Sequence, residues 1–168
     1  MKIKIKKKQP NSKMSFVCGL RNSIGLHSSF YELNNGELVA VFSPKKGHQG
    51  YPGRLHGGLA ITILDETIGR AIMMESAKKY VGVTIEFSSR FRKPIPLDTE
   101  VRVVARITRK SSRVFEGTGE VILEDGTIAI EGKGKYMKFE ISKIADFKKH
   151  EQEWEIVNSP DDPDYFDI

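Results

Sequence analysis

The segment from Leu59 to Lys78 constrains the fold more than any other. It is free of proline and carries Leu59, Ala60, Ile61, Ile63, Leu64, Ile68, Ala71, Ile72, Met73 and Met74, with only Gly69 interrupting. Such a run reads as one long helix. Its first half is apolar nearly all round, so the helix is expected to be buried rather than laid on a surface. The text on either side is strand-like. Residues 28–43 read as a hairpin, because SSFYEL and ELVAVF flank Asn34, Asn35 and Gly36, which tolerate positive φ. Residues 44–55, rich in glycine and proline, form a loop that delivers the chain to the helix. From 80 to 91, Val81, Val83, Ile85 and Phe87 alternate with Gly82, Thr84, Glu86 and Ser88, a period of two. KPIPLD breaks the chain, strands at 99–109 and 113–123 flank the KSS turn, and Asp125 and Gly126 turn into a strand at 127–141. The expectation is an α+β architecture in which a five- or six-stranded antiparallel sheet wraps one long central helix.

At 168 residues the chain has room for one core with tails. The division predicted is a basic N-terminal arm at 1–15, a domain at 16–141, and a short C-terminal helix with an acidic tail at 142–168. Residues 1–13 hold six lysines and no acid, whereas 150–168 hold seven acids and no lysine or arginine. The tails nearly cancel, and the lysine run reads as a solvated arm or a strand edge. The remaining mild basic excess suits a small anionic ligand and is weak as a nucleic-acid footprint. No apolar run approaches the roughly 20 residues of a membrane span, and no secretory signal is visible, so a cytoplasmic location without nucleic-acid or membrane partners is expected. The single cysteine, Cys18, has no partner for an intrachain disulfide and reads as a small buried hydrophobe.

The chemistry concentrates in LHGGLAITILDETIGRA, residues 55–71. Gly57 and Gly58 at a helix start suggest close approach of the backbone to a ligand, since glycine costs about 1 kcal/mol relative to alanine inside a helix. The first amides of a helix lack internal acceptors and lie at the positive end of its dipole, where they can stabilise an oxyanion. Asp65 sits in an apolar helix, where a charge must be paired, protonated or put to use. Its ordinary explanation is a buried ion pair, with Arg70 of another subunit or with a strand arginine. Glu66 points about 100° away around the helix and reads as structural. Eight residues at 1.5 Å each place Gly57 and Asp65 about 12 Å apart. If both act on one substrate, they come from different subunits across a twofold interface.

HGG followed by an aspartate nine residues after the histidine, with Thr84 ten residues before Pro94 in TIEFSSRFRKPIPL, resembles the signature of the hotdog-fold acyl-CoA thioesterases, in the PaaI-like branch of the thioesterase superfamily. The CGLRNSIGL segment, Cys18 to Leu26, resembles a lead-in of that branch, and the likeness spans roughly residues 16–140. The resemblance implies hydrolysis of an acyl-CoA to free acid and CoA, with Gly57 as oxyanion donor, Asp65 as base or nucleophile, Thr84 positioning water, and His56 orienting the loop or assisting binding. It implies no metal and no cofactor beyond the CoA of the substrate, and a homodimer or a tetramer built as a dimer of dimers. Gly58 and Gln49 are assigned to substrate binding. Arg90, Arg92 and Lys93, or Arg109, Lys110 and Arg113, are candidates for the CoA phosphates. Many relatives carry asparagine where this chain has Gly50, a place that Gln49 or His48 is expected to fill. Phe87, Phe91 and Met73 are candidates for an acyl pocket. The rivals are a hotdog hydratase or dehydratase, which needs a histidine poised with the carboxylate, and a non-catalytic acyl-CoA-binding hotdog protein.

Overall fold

The computed structural model describes residues 1–75, 79–146 and 154–168. Strands β1 (Lys2–Lys8) and β2 (Asn11–Ser12) precede the hairpin β3 (Ser29–Leu33) and β4 (Leu38–Phe42). Helix α1 (Gly57–Arg70) follows, then β5 (Tyr80–Phe91), β6 (Val101–Lys110), β7 (Val114–Ile122) and β8 (Ile128–Glu140). The chain closes with the single turn α2 (Ile141–Ile144) and the short strands β9 (Trp154–Glu155) and β10 (Tyr165–Asp167). Gly36 and Gly126, with φ of +84° and +81°, make the two reversals expected at those sites.

One antiparallel sheet in the order β10-β1-β3-β4-β6-β7-β8-β5 wraps α1, the hotdog arrangement. It has eight strands, more than the five or six expected, because β1 and β10 extend it beyond β3. Ile63, Leu64 and Ile68 of α1 are fully buried against Phe30, Leu38, Val103, Phe115, Val121 and Ile130. A second cluster gathers Tyr31, Leu33, Val39 and Val104 with Ile3 of β1 and Phe166 of β10. That apolar set explains why chain from both tails joins the sheet: it removes four strand residues of the core from water.

The sheet approaches the helix closely because β7 and β8 present glycines. A Cβ built on Gly132 would lie 2.6 Å from Leu64 Cδ2, and one on Gly117 would lie 2.7 Å from Ile68 Cγ2. Gly69, the one interruption of the helical run, faces Tyr136 and lets α1 pass beside Gly82.

Two expectations are corrected. The α-helix ends at Arg70 and continues as a 3₁₀ turn, Ala71–Met74, the tightening common at helix C-termini; positions 76–78 of the expected helix lie outside the described residues. The period of two along β5 is broken by a bulge at Ile85, between Thr84 and Glu86. The extra residue reverses the parity of the strand. Phe87 therefore packs into the core, while Val83 and Ile85 remain 41% and 48% exposed.

Candidate active site

The loop before α1 is pinned at several points. Leu55 N–H donates to the Ile95 carbonyl, and His56 N–H donates to the His48 carbonyl. His48 is buried, its Nδ1 accepting from Lys45 N–H at 2.9 Å and its Nε2 lying 3.0 Å from the Ile24 carbonyl. Both ring nitrogens are engaged with backbone, which leaves Gln49, exposed and accepting from Gly53 N–H, as the polar side chain beside Gly50.

His56 then caps α1. Its backbone is extended (φ −61°, ψ 131°), and its Nδ1 accepts from the Gly58 N–H at 3.0 Å. Ser, Thr, Asp or Asn usually makes this contact. Leu59 and Ala60 both donate to the His56 carbonyl. Among the described residues, the Gly57 N–H is thus the first-turn amide that donates to no group of the chain. It points along the positive end of the helix. Phe91, 52% exposed at the end of β5, lies against Gly57: a Cβ there would be 3.3 Å from Phe91 Cε1. Arg90, Arg92 and Lys93 flank Phe91, so the basic residues stand at the Gly57 end of the helix. Arg92 is tied to Glu131 at 2.6 Å, while Arg90 and Lys93 are exposed. At the β6–β7 turn, Lys110 is paired with Glu75 at 2.7 Å.

Asp65 lies about 12 Å along the axis. Thr84 Oγ1 donates to its carboxylate, 3.0 Å from Oδ1 and 3.1 Å from Oδ2. The Tyr136 hydroxyl donates to Oδ1 at 3.0 Å and also lies 3.2 Å from the Asp65 carbonyl. Burial raises the pKa of Asp65; the hydrogen bonds from Thr84 and Tyr136 pull it back down, and the charge of Glu66 raises it further. The phenol of Tyr136 is pushed far up, first by burial and then by the Asp65 charge, so it stays a donor. Among the described residues no cation pairs with Asp65. Arg70 is directed elsewhere, to Glu66 Oε1 at 2.8 Å, the Pro10 carbonyl at 3.0 Å and Cys18 Sγ at 3.0 Å. Cys18 is buried, as expected, but as an acceptor for that guanidinium rather than an apolar filler alone.

The sequence therefore places Asp65 and Thr84 together, and His56, Gly57 and Gly58 together at the opposite end of α1. Tyr136 was missed. An aromatic in a strand reads as core, and Tyr136 is indeed fully buried and stacked on Phe115 with centroids 5.0 Å apart. Its signal was a hydroxyl on the helix-facing side of β8, two residues after Gly134, whose missing side chain clears its ring. Beyond Asp65 a groove of about 390 Å³ opens between α1 and β5, with Met73, Ile144 and Trp154 among its walls.

The sequence model described as the thioesterase superfamily matches residues 52–130, from the loop before α1 through β5, β6 and β7 to the start of β8. Over those residues the chain is similar to the thioesterase superfamily. It is 27% identical over 143 residues to acyl-coenzyme A thioesterase THEM4 of Mus musculus, covering 83% of this chain and 60% of the mouse protein, so it spans less than two thirds of that relative's length. A solved thioesterase superfamily protein superposes with a TM-score of 0.67 at 23% identity, covering 73% of this chain and 59% of that one. A hypothetical thioesterase protein of Streptococcus pneumoniae, solved with coenzyme A, superposes with a TM-score of 0.57 at 18% identity, covering 62% of this chain and 82% of that one. The matched stretch holds Gly57, Asp65 and Thr84, whereas Tyr136, Ile144 and Trp154 lie beyond it. Among the described residues no helix is long and apolar enough to cross a membrane, and no three His, Cys, Asp or Glu side chains are grouped to hold a metal ion.

Proposed function

We propose that this protein hydrolyses an acyl-CoA thioester to a free acid and CoA, with Asp65 activating water or attacking the carbonyl and the Gly57 amide of the partner subunit receiving the oxyanion. The observation that carries this reading is the Asp65 carboxylate, partly desolvated at a groove, bonded to two hydroxyls and, among the described residues, to no cation. A carboxylate kept from full ionic pairing retains basicity for a reaction. Thr84, exposed beside it, can hold the attacking water once substrate arrives. The acyl-coenzyme A thioesterase relative and the neighbour solved with coenzyme A support the substrate class.

A dimer is the smallest unit that completes the site. Among the described residues the sheet ends at β5, whose outer edge has no strand paired to it and whose Val83, Ile85 and Phe91 are exposed. An open, apolar edge of this length is a pairing surface. Joining two such edges supports a twofold arrangement in which the Gly57 end of one subunit, bearing Arg90 and Lys93, faces the Asp65 end of the other. His56, committed as a cap, holds the Gly57 amide in place. A hydratase would need a histidine beside Asp65. Among the described residues His48 is bound to backbone on both nitrogens and His56 stands at the far end of α1.

The test is release of free thiol from a panel of acyl-CoAs by the native protein and Asp65→Asn, with folding matched by circular dichroism. Hydrolysis by the native protein that falls about 10²- to 10⁴-fold in the variant supports the reading. Turnover that survives the substitution sinks the mechanism. Tight CoA binding with no turnover would favour the non-catalytic acyl-CoA-binding protein instead.

A further inference from the structure

The groove beside Asp65 has a wall that the superfamily match does not include. Its floor comes from α1 and the 3₁₀ turn, through Gly69 and Met73, and one side from β5. The other side is Trp154 of β9 and Ile144 of α2, both downstream of the matched residues 52–130. Trp154 is held there by two independent contacts. Ser12 of β2 pairs with it in register, Asn11 pairing with Glu155, and the Arg70 guanidinium lies 5.2 Å from the centre of its ring. That guanidinium is itself fixed by Phe30, whose ring centre lies 4.1 Å away, and by its bonds to Glu66 and the Pro10 carbonyl. The tryptophan is therefore tied both to the N-terminal strands and to the helix carrying Asp65. Ile144, 46% exposed, stands at the groove mouth.

We infer that Trp154 and Ile144 select the acyl group, forming the apolar wall against which the acyl chain lies when its carbonyl is at Asp65. The inference rests on the thioesterase reading above. It is favoured by the polarity of the two half-sites. The basic residues that suit the CoA phosphates cluster at the Gly57 end, whereas the groove at the Asp65 end, beside Asp65, Glu66 and Arg70, is walled mostly by the apolar groups of Met73, Val81, Val83, Ile144 and Trp154. A volume of about 390 Å³ falls in the lower range of small-ligand pockets, enough for an acyl group well beyond acetyl. The preferred substrate class is thus an apolar acyl thioester of medium length, or an aryl-acyl thioester stacking on the indole.

Burial of acyl surface acts equally on bound substrate and transition state, so the wall acts through KM and leaves kcat nearly unchanged. Trp154→Ala is expected to lower kcat/KM for octanoyl-CoA about tenfold, the discrimination typical of an apolar pocket, and to leave acetyl-CoA within about twofold. Trp154→Phe restores the preference, and Ile144→Ser shifts it in the same direction as Trp154→Ala. Equal losses on both substrates, or an unchanged preference in both variants, overturn the inference. Trp154 is the only tryptophan of the chain. A blue shift of its emission when octanoyl-CoA, but not free CoA, binds Asp65→Asn supports the inference without altering the wall, and no shift at saturation overturns it. Absence of hydrolysis by the native protein would instead remove the enzymatic reading, while the emission titration still decides whether the acyl group lies on Trp154.

Discussion

Tyr136 and Thr84 face one another across β8 and β5, and both donate to the carboxylate of Asp65. The pairing is a sheet register turned into a clamp: adjacent strands supply one phenol and one alcohol, and the helix they cradle supplies the acid. Both donors favour the charged form of Asp65, against the larger effect of burial, which favours the neutral form. Removing either donor therefore raises the Asp65 pKa. For Tyr136→Phe and Thr84→Val, the acid limb of kcat/KM against pH is expected to move to higher pH than in the native protein. Thr84→Ser, which keeps a hydroxyl, leaves it in place. A Tyr136→Phe profile superimposable on the native one would separate Tyr136 from the chemistry.

The raised pKa also has a consequence for stability. A carboxyl whose pKa is higher in the folded than in the unfolded state binds more protons when folded, so its contribution declines as pH rises from the ordinary carboxylate range through the folded value. Ionised Asp65 thus lowers stability at neutral pH. Asp65→Asn is expected to melt at a higher temperature than the native protein at pH near 7, with the difference shrinking as pH falls through the raised folded value and closing by about 4, where the unfolded carboxyl is also protonated. Thermal unfolding across that range checks it. A variant less stable than the native protein at neutral pH would show that the hydroxyl bonds outweigh the desolvation.

The glycines under α1 predict a different loss. A Cβ on Gly132 would lie 2.6 Å from Leu64 Cδ2 and 3.0 Å from Phe87 Cζ, both buried or partly buried groups packed in the core. Gly132→Ala is expected to destabilise by about 1–3 kcal/mol, the usual range for overpacking a filled core. A lowered urea midpoint at unchanged slope would show it.

Arg70 predicts a third. Its guanidinium serves Glu66, the Pro10 carbonyl and Cys18 Sγ while lying against the rings of Phe30 and Trp154. An ammonium keeps the charge but not this planar set of donors. Arg70→Lys is expected to cost about 1–3 kcal/mol through acceptors left unsatisfied, with a change in Trp154 emission. Unchanged emission and midpoint would mean that the lysine reaches the same acceptors.

How far these features were legible in the sequence depended on whether their signal was local. The hairpin glycines Gly36 and Gly126 carry their conformation with them, and the apolar run that became α1 needed no partner to be read. Asp65 and Gly57 were visible because each violates a helical preference. The bulge at Ile85 left no mark, since one extra residue in a strand looks like any other until its partner strand is known. Tyr136 was hidden for the same reason: its hydroxyl matters only opposite Thr84, 52 residues upstream. The short strands β9 and β10 pair with β2 and β1 across nearly the whole chain, and no periodicity within a two- or three-residue strand announces that.

Gly57 offers the sharpest separation of activity from stability. Replacing glycine by alanine in a helix normally favours the helix, and Gly57 has ordinary helical backbone without positive φ. The obstacle is Phe91, whose Cε1 and Cζ would lie 3.3 Å and 3.5 Å from the new Cβ. Either the ring or the first turn of α1 must give, and if the turn moves, the amide leaves the place opposite a partner's Asp65 that the proposed mechanism requires of it. Gly57→Ala is therefore expected to keep the native melting temperature while lowering kcat by up to about 10²-fold, the cost of misplacing a reacting group by about an ångström. Phe91→Leu, which shortens the obstructing ring, should restore part of that loss in the double variant while altering kcat little alone. Such a non-additive cycle is the signature of two residues coupled by contact. Additive effects would show that the ring had simply turned aside, leaving the Gly57 amide where it was.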